Sequence, residues 1–134
     1  MSLRRAALAI DPTVACMIRE GGREYCIDPA GGVADALGKK WTLPLIGVLG
    51  NRPQNRFHEL AEALDGVGAK ALTARLRELE ELGLVRREVP RESVRWVEYR
   101  LTDRGLALRR ALVPFLEWAS VDAAAPAARS VRTR

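Results

Sequence analysis

Three segments decide the fold: Arg56-Phe57-His58-Glu59-Leu60, then Leu72-Thr73-Ala74-Arg75-Leu76-Arg77-Glu78-Leu79-Glu80-Glu81-Leu82-Gly83-Leu84-Val85, then Val97-Glu98-Tyr99-Arg100-Leu101-Thr102-Asp103-Arg104-Gly105. Phe57, Leu60, Ala61 and Leu64 recur at the i, i+3, i+4, i+7 spacing of one helix face, which predicts a helix over 57–64. Asp65-Gly66-Val67-Gly68 is a tight connection, with Val67 as its buried plug. A second helix is predicted over 69–82, with Leu72, Leu76, Leu79 and Leu82 or Gly83 marking the buried face. Lys70, Thr73, Ala74 and Arg77 then fall together on the opposite side. Gly83 supplies the stop, because glycine adopts the left-handed conformation that ends a helix. Segments 84–89 and 95–101 are predicted strands. In the second of them Trp96, Glu98 and Arg100 alternate with Val97, Tyr99 and Leu101. Pro90-Arg91-Glu92-Ser93 is the loop between them. Thr102 is a good N-cap for a last helix, with Asp103 opposing its positive end.

Helix, turn, arginine-bearing helix and two strands around a charged loop make a winged helix-turn-helix. The predicted class is mainly α with a small β-hairpin, plus N- and C-terminal dimerisation helices. Such a layout presents one helix to a DNA groove and flanks it with a basic loop.

Outward from this core, the run from Trp41 to Leu49 is almost wholly apolar and is expected to be a helix buried all round. Pro44 is compatible with it only in the first turn, where a missing N–H costs nothing. Asp28-Pro29 reads as an N-cap and first helical residue, Val33, Ala34 and Leu37 as an apolar face, and Gly38 as the stop. Residues 1–25 are expected to form a partly ordered arm. Ala6 to Ile10 is one helical turn of it, broken at Asp11-Pro12 and again at Gly21-Gly22. Residues 26–120 make the winged-helix domain, and 121–134 a disordered basic tail.

A chain of 134 residues, 48% hydrophobic, is long enough for one domain with its own core. A net charge of +5 favours an acidic partner. Aromatic residues make up only 5%, which argues against stacking platforms for single strands. Two cysteines, Cys16 and Cys26, and one histidine are too few for a tetrahedral zinc site or a disulfide scaffold. No apolar run approaches the roughly 20 residues of a membrane span. These features predict no cofactor, no metal, no membrane partner and a cytoplasmic location.

Set between a supporting helix, a Gly stop and a basic hairpin, Lys70, Thr73, Ala74 and Arg77 are the predicted readers of the major groove. Arg can pair bidentately with guanine there. The bland alternative is a solvated face with ordinary ion pairs such as Arg77 with Glu81. Arg91 and Arg95, near the loop tip, are expected to hold phosphates, which fixes register without reading sequence, or to reach the adjacent minor groove; the bland alternative is a charged edge that resists strand addition. Arg56 is expected to touch the backbone as well. Arg86 and Arg87 lie along the hairpin, where Glu88, Glu92 and Glu98 dilute the positive field. His58 reads as a surface or cap histidine, and Trp41, Trp96 and Trp118 as core or interface residues. Leu108, Leu112, Phe115 and Leu116 stripe the last helix with more apolar surface than one small domain covers. Val14 to Ile18 adds a second patch, and both suggest a homodimer.

The chain resembles the HxlR-type winged helix-turn-helix transcriptional regulators, a branch near MarR. The resemblance covers roughly residues 26–119. It is carried by Cys26, Gly38-Lys39-Lys40-Trp41-Thr42, Arg56-Phe57-His58-Glu59-Leu60, Leu72-Thr73, Leu76-Arg77-Glu78-Leu79-Glu80, Gly83-Leu84-Val85-Arg86-Arg87, Val97-Glu98-Tyr99-Arg100-Leu101-Thr102 and Trp118. It implies a homodimeric regulator of double-stranded DNA, with dimer contacts from the terminal helices. It also implies that Cys26 corresponds to the cysteine some members use to sense electrophiles or oxidants; the alternative is an inert structural thiol. Gly68 stands where the family usually has a capping Ser.

The predicted function is therefore a DNA-binding transcriptional regulator, with a small molecule or a redox agent as effector. As a homodimer it would bind an inverted repeat through helix 69–82 and a basic wing at 89–95. Two alternatives come from other classes. One is a winged-helix module for protein interaction, and the other a thiol-based enzyme built on Cys16 or Cys26.

Overall fold

The computed structural model describes residues 17–26, 32–92 and 95–124. The predicted turn at Ala6 to Ile10, Cys16, the Asp28-Pro29 cap and the tail from residue 125 lie outside them. The chain divides into two compact units, one up to Lys40 and one from Trp41. The boundary predicted at 25/26 lies within the first.

In the first unit, β1 (Met17–Glu20) and β2 (Arg23–Cys26) form an antiparallel hairpin with Met17 opposite Cys26 and Glu20 opposite Arg23. Gly21 and Gly22 take φ of 60° and 77°, the two positive values a type I′ hairpin turn demands. The glycine pair is thus the turn of a hairpin, not a break in a loose arm. Helix α1 (Gly32–Leu37) follows. Gly38 ends it as expected, its N–H donating to the Asp35 carbonyl at 3.2 Å.

The second unit opens with α2 (Thr42–Leu49), whose N-cap Trp41 sits at φ 80°, a left-handed value uncommon for a large side chain. Pro44 is the third helical residue, within the first turn where a backbone N–H has no intrahelical partner anyway. The expectation of burial all round is not met. Leu45, Ile46 and Leu49 are buried, but Leu43 and Val48 are half-buried and Pro44 is exposed. The core of this unit lies on one side of the helix.

A short strand β3 (Asn55–Arg56), absent from the sequence reading, leads into α3 (Phe57–Ala63). Then come α4 (Ala69–Glu81), β4 (Val85–Glu88), β5 (Glu98–Leu101) and α5 (Asp103–Ala124). The sheet order is β3-β5-β4, antiparallel throughout, with Val85 opposite Leu101 and Arg56 opposite Glu98. Buried Asn55 donates from Nδ2 to the Leu49 carbonyl at 3.2 Å and the Tyr99 carbonyl at 3.4 Å, tying β3 to α2 and β5. Both strands of the wing are shorter than predicted, as suits a loop containing Pro90, which cannot donate to a ladder. Val67 is half-buried, less than a plug. Leu45, Ile46, Leu49, Leu60, Leu72, Leu79 and Leu84 form the core, each 1% exposed or less.

Two helix ends meet at Gly83. Its φ is 75°, its N–H donates to the Glu80 carbonyl at 3.0 Å, and the Leu84 N–H donates to the Leu79 carbonyl at 2.9 Å. This is the Schellman arrangement, closed by buried Leu79 and Leu84. Thr102 works as predicted: its hydroxyl oxygen accepts the Gly105 N–H at 3.1 Å. The same hydroxyl donates to the Gly83 carbonyl at 2.6 Å, and Arg104 Nη1 donates to the Leu82 carbonyl at 2.8 Å. A methyl on Gly105 would overlap the Leu84 carbonyl oxygen, so α5 starts flush against the chain leaving α4.

Helix α5 spans 22 residues, about 33 Å at 1.5 Å per residue. It continues to Ala124, so residues 121–124, predicted to start the tail, are helical. Arg109 anchors its first half to α2, with Nε donating to the Gly47 carbonyl at 3.1 Å and Nη2 to Asn51 Oδ1 at 2.6 Å. Among the described residues no helix is long and apolar enough to cross a membrane.

Candidate nucleic-acid interface

Helix α4 separates its side chains cleanly. Leu72, Leu76 and Leu79 point into the core at 0%, 2% and 1% exposure. On the other side Lys70, Thr73 and Arg77 are exposed and Ala74 half-buried. With Ala69 these four line one open, shallow hollow, so the predicted groove readers share a surface.

An adjoining hollow is lined by Thr73, Leu76, Arg77, Glu80, Arg87 and Tyr99. It brings Arg87 of β4 beside Arg77, an addition the sequence reading left among the general wing charges. Arg87 lies opposite Tyr99, which lines the same hollow; this pairing depends on strand register and carries no signal in the sequence.

Glu80 stands at the edge of that hollow, whereas Glu78 and Glu88 are taken up in ion pairs. Arg75 pairs with Glu78 at 3.1 Å on the half-buried flank of α4. Glu88 takes Arg86 at 3.7 Å and Arg100 at 3.4 Å. Among the described residues Lys70, Arg77, Arg87, Arg91 and Arg95 join no ion pair, and the pairing of Arg77 with Glu81 does not form. Their charge is left for an outside anion.

Arg56 ends β3 as the N-cap of α3. Its backbone N–H donates to Glu59 Oε1 at 2.8 Å. A guanidinium has no acceptor to return, so this cap is one-sided. That backbone hydrogen bond holds the Glu59 carboxyl below its ordinary range; nearby Arg52 and His58 help, against some desolvation. Arg52 Nη1 lies 3.2 Å from Glu59 Oε2. The Arg56 guanidinium carbon sits 4.7 Å from the centroid of the Trp96 ring.

Trp96 is therefore not a core residue: it is 38% exposed on the wing, and Trp118 is 62% exposed on α5. Trp41 is half-buried and His58 exposed. Arg91 and Arg95 are both exposed and flank Ser93 and Val94, which lie outside the described residues. Cys26 closes β2. On α5, Leu108 and Leu112 are half-buried, whereas Val113, Phe115, Leu116 and Val121 are 45%, 48%, 44% and 74% exposed. Phe115 and Trp118 touch each other, ring centroids 6.2 Å apart. Among the described residues no cluster of three or more His, Cys, Asp or Glu could hold a metal ion.

The HTH-type transcriptional regulator YvaP of Bacillus subtilis is 40% identical over 86 residues, 64% of this chain and 79% of that one. The crystal structure of a possible HxlR-family transcription factor from Thermoplasma volcanium superposes with a TM-score of 0.70 at 37% identity, covering 78% of this chain and 94% of the other. The quinone-bound form of the regulator YodB from B. subtilis superposes with a TM-score of 0.56 at 35% identity, over 64% of this chain and 89% of that one. The family model for the HxlR-like helix-turn-helix matches residues 36–125. This is a family of transcriptional regulators and not of enzymes, which sets aside the thiol-enzyme alternative. The chain belongs to the HxlR-like family, and its helix-turn-helix is the DNA-binding domain of a transcriptional regulator.

Proposed function

We propose that the protein acts as a homodimer on an inverted-repeat operator, with one α4 in each of two successive major grooves. The carrying observation is the shared surface of Lys70, Thr73, Ala74 and Arg77, on which neither Lys70 nor Arg77 joins an ion pair among the described residues. In this reading Arg77 reads a base edge. Arg91 and Arg95 of the wing, with Arg56, hold phosphates. Leu108, Leu112, Phe115 and Leu116 meet a second copy of α5. Two-fold symmetry then places half-sites about 34–36 Å apart.

Selection of bound fragments from random DNA, followed by titration of variants, tests this. Arg77→Ala should lose roughly 1–3 kcal/mol on the selected site and relax preference at one base pair. Equal loss on random DNA would make Arg77 a phosphate contact only. Arg91→Ala and Arg95→Ala should weaken all duplexes alike and lower the salt slope by about one unit each; unchanged slopes would take the wing out of the interface. Phe115→Asp should yield monomers in sedimentation, and a wild-type chain that is monomeric at micromolar concentration would overturn the dimer. Loss of duplex binding altogether would favour the protein-interaction alternative.

The effector reading rests on the quinone-bound relative. In it, modification of Cys26 changes the dimer and so the half-site spacing. Operator affinity before and after quinone treatment, in wild type and Cys26→Ser, decides it. Identical affinities with Cys26 unmodified would make the thiol structural.

A further inference from the structure

Nothing in the core accounts for Trp96. Its indole is 38% exposed beside a wing strand. The β3–β5 ladder sets Arg56 opposite Glu98, two residues beyond Trp96. The indole turns back across this pair, and the Arg56 guanidinium lies 4.7 Å over its ring. Trp96 Nε1 donates to Glu98 Oε2 at 3.2 Å, which fixes the rotation of the ring. The other end of Arg56 is fixed too, by its N–H on Glu59. Glu59 is in turn held by Arg52. A long, exposed side chain is thus restrained at its root and at its head.

We infer that Trp96 is a positioning residue for the phosphate contact of Arg56. This rests on the phosphate role proposed for Arg56 above. A guanidinium stacked on an aromatic face spends that face and keeps its in-plane N–H fork free, and the fork is the part that grips two oxygens of one phosphate. An unstacked arginine would have to be immobilised by the DNA itself, at an entropic cost to binding.

The test is duplex affinity across a salt series for wild type, Arg56→Ala, Trp96→Phe and Trp96→Leu. Each Trp96 variant is also made in the Arg56→Ala background, with thermal unfolding midpoints alongside. Leu keeps apolar bulk without a π face; Phe keeps the face. Trp96→Leu should weaken specific and random duplexes by about 2–5-fold, the range of an exposed cation–π contact, and lower the salt slope. Trp96→Phe should retain at least half of that affinity. In the Arg56→Ala background neither change should matter. Leu behaving as well as Phe would overturn the inference, since bulk alone would then suffice. Equal losses in both backgrounds would overturn it too, by placing the ring itself on the DNA. Arg77→Ala separates the two layers. If it weakens binding while Arg56→Ala does not, Arg56 is no phosphate ligand and this inference falls, though DNA reading stands. If no duplex binds at all, the underlying reading falls with it.

Discussion

Helices α4 and α5 spend their apolar residues in opposite ways. In α4 Leu72, Leu76 and Leu79 are each 2% exposed or less, and Lys70, Thr73 and Arg77 face outward, with Glu80 and Glu81 exposed toward its C-terminal end. In α5 the first turns are closed against Leu84 and Gly47, but further along Val113, Phe115, Leu116, Trp118 and Val121 stand open. An outward face of unpaired cations suits a polyanion and gives binding that weakens with salt. An outward face of phenylalanine, leucine and tryptophan suits another protein surface, as exposed apolar patches generally do. One chain thus offers two surfaces that would not compete for the same partner.

The sharpest test of that contrast is one substitution made in both helices. Leu76→Ala, in the core stripe of α4, should cost roughly 2–5 kcal/mol in urea unfolding, because it empties packed space. Leu116→Ala should change the stability of the dilute monomer by no more than about 0.5 kcal/mol, as surface changes do. A large loss at Leu116 in a monomeric sample would mean that α5 is already packed within its own chain. Next in size is the point where the helices converge. Gly105→Ala forces a methyl onto the Leu84 carbonyl and should destabilise by about 1–3 kcal/mol, the usual range for overpacking. A neutral result would mean that α5 begins farther from α4's exit than described.

Helix starts extend the same comparison. Helix α5 is capped by Thr102, while α4 begins at Gly68, extended at φ −84° and ψ 156°, with no side-chain cap. Thr102→Ala should cost about 1 kcal/mol in unfolding free energy. Gly68→Ser should gain only a few tenths, since glycine is itself a tolerated cap. A methylene there meets nothing within 4 Å, so the gain is free of strain. Hydrogen exchange in the first turn of α4 would show it; unchanged protection would say that the backbone geometry already suffices.

What could be read from the sequence was what local chemistry dictates. The stripe of Leu72, Leu76 and Leu79, the Gly83 stop and the Thr102 cap each depend on neighbours within a turn, and each stands where the spacing places it. The grouping of Lys70, Thr73, Ala74 and Arg77 followed from the same periodicity. Long-range partners were out of reach. Strand β3 is two residues long and exists only because Asn55 meets Tyr99, far along the chain. From the sequence Arg56 reads as a DNA-backbone contact and Trp96 as a core or interface residue, and only the ladder between their strands brings them together. The hairpin at Gly21-Gly22 was missed for another reason. Met17-Ile18-Arg19-Glu20 does not alternate apolar with polar, so the strand signal around the turn was weak.

Thr102 and Arg104 have a mechanical consequence. Both belong to the entry of α5, and both hold carbonyls at the exit of α4, at 2.6 Å and 2.8 Å. The two helices therefore share a joint in space, although the wing hairpin lies between them in the chain. Rotating α5 must either carry the end of α4 with it or break these bonds, each worth about 0.5–1.5 kcal/mol. That sum falls within the few kcal/mol by which effectors commonly couple distant sites. In the proposed dimer built on α5, torque applied at the subunit seam would arrive as tilt of α4, the helix proposed to read the groove.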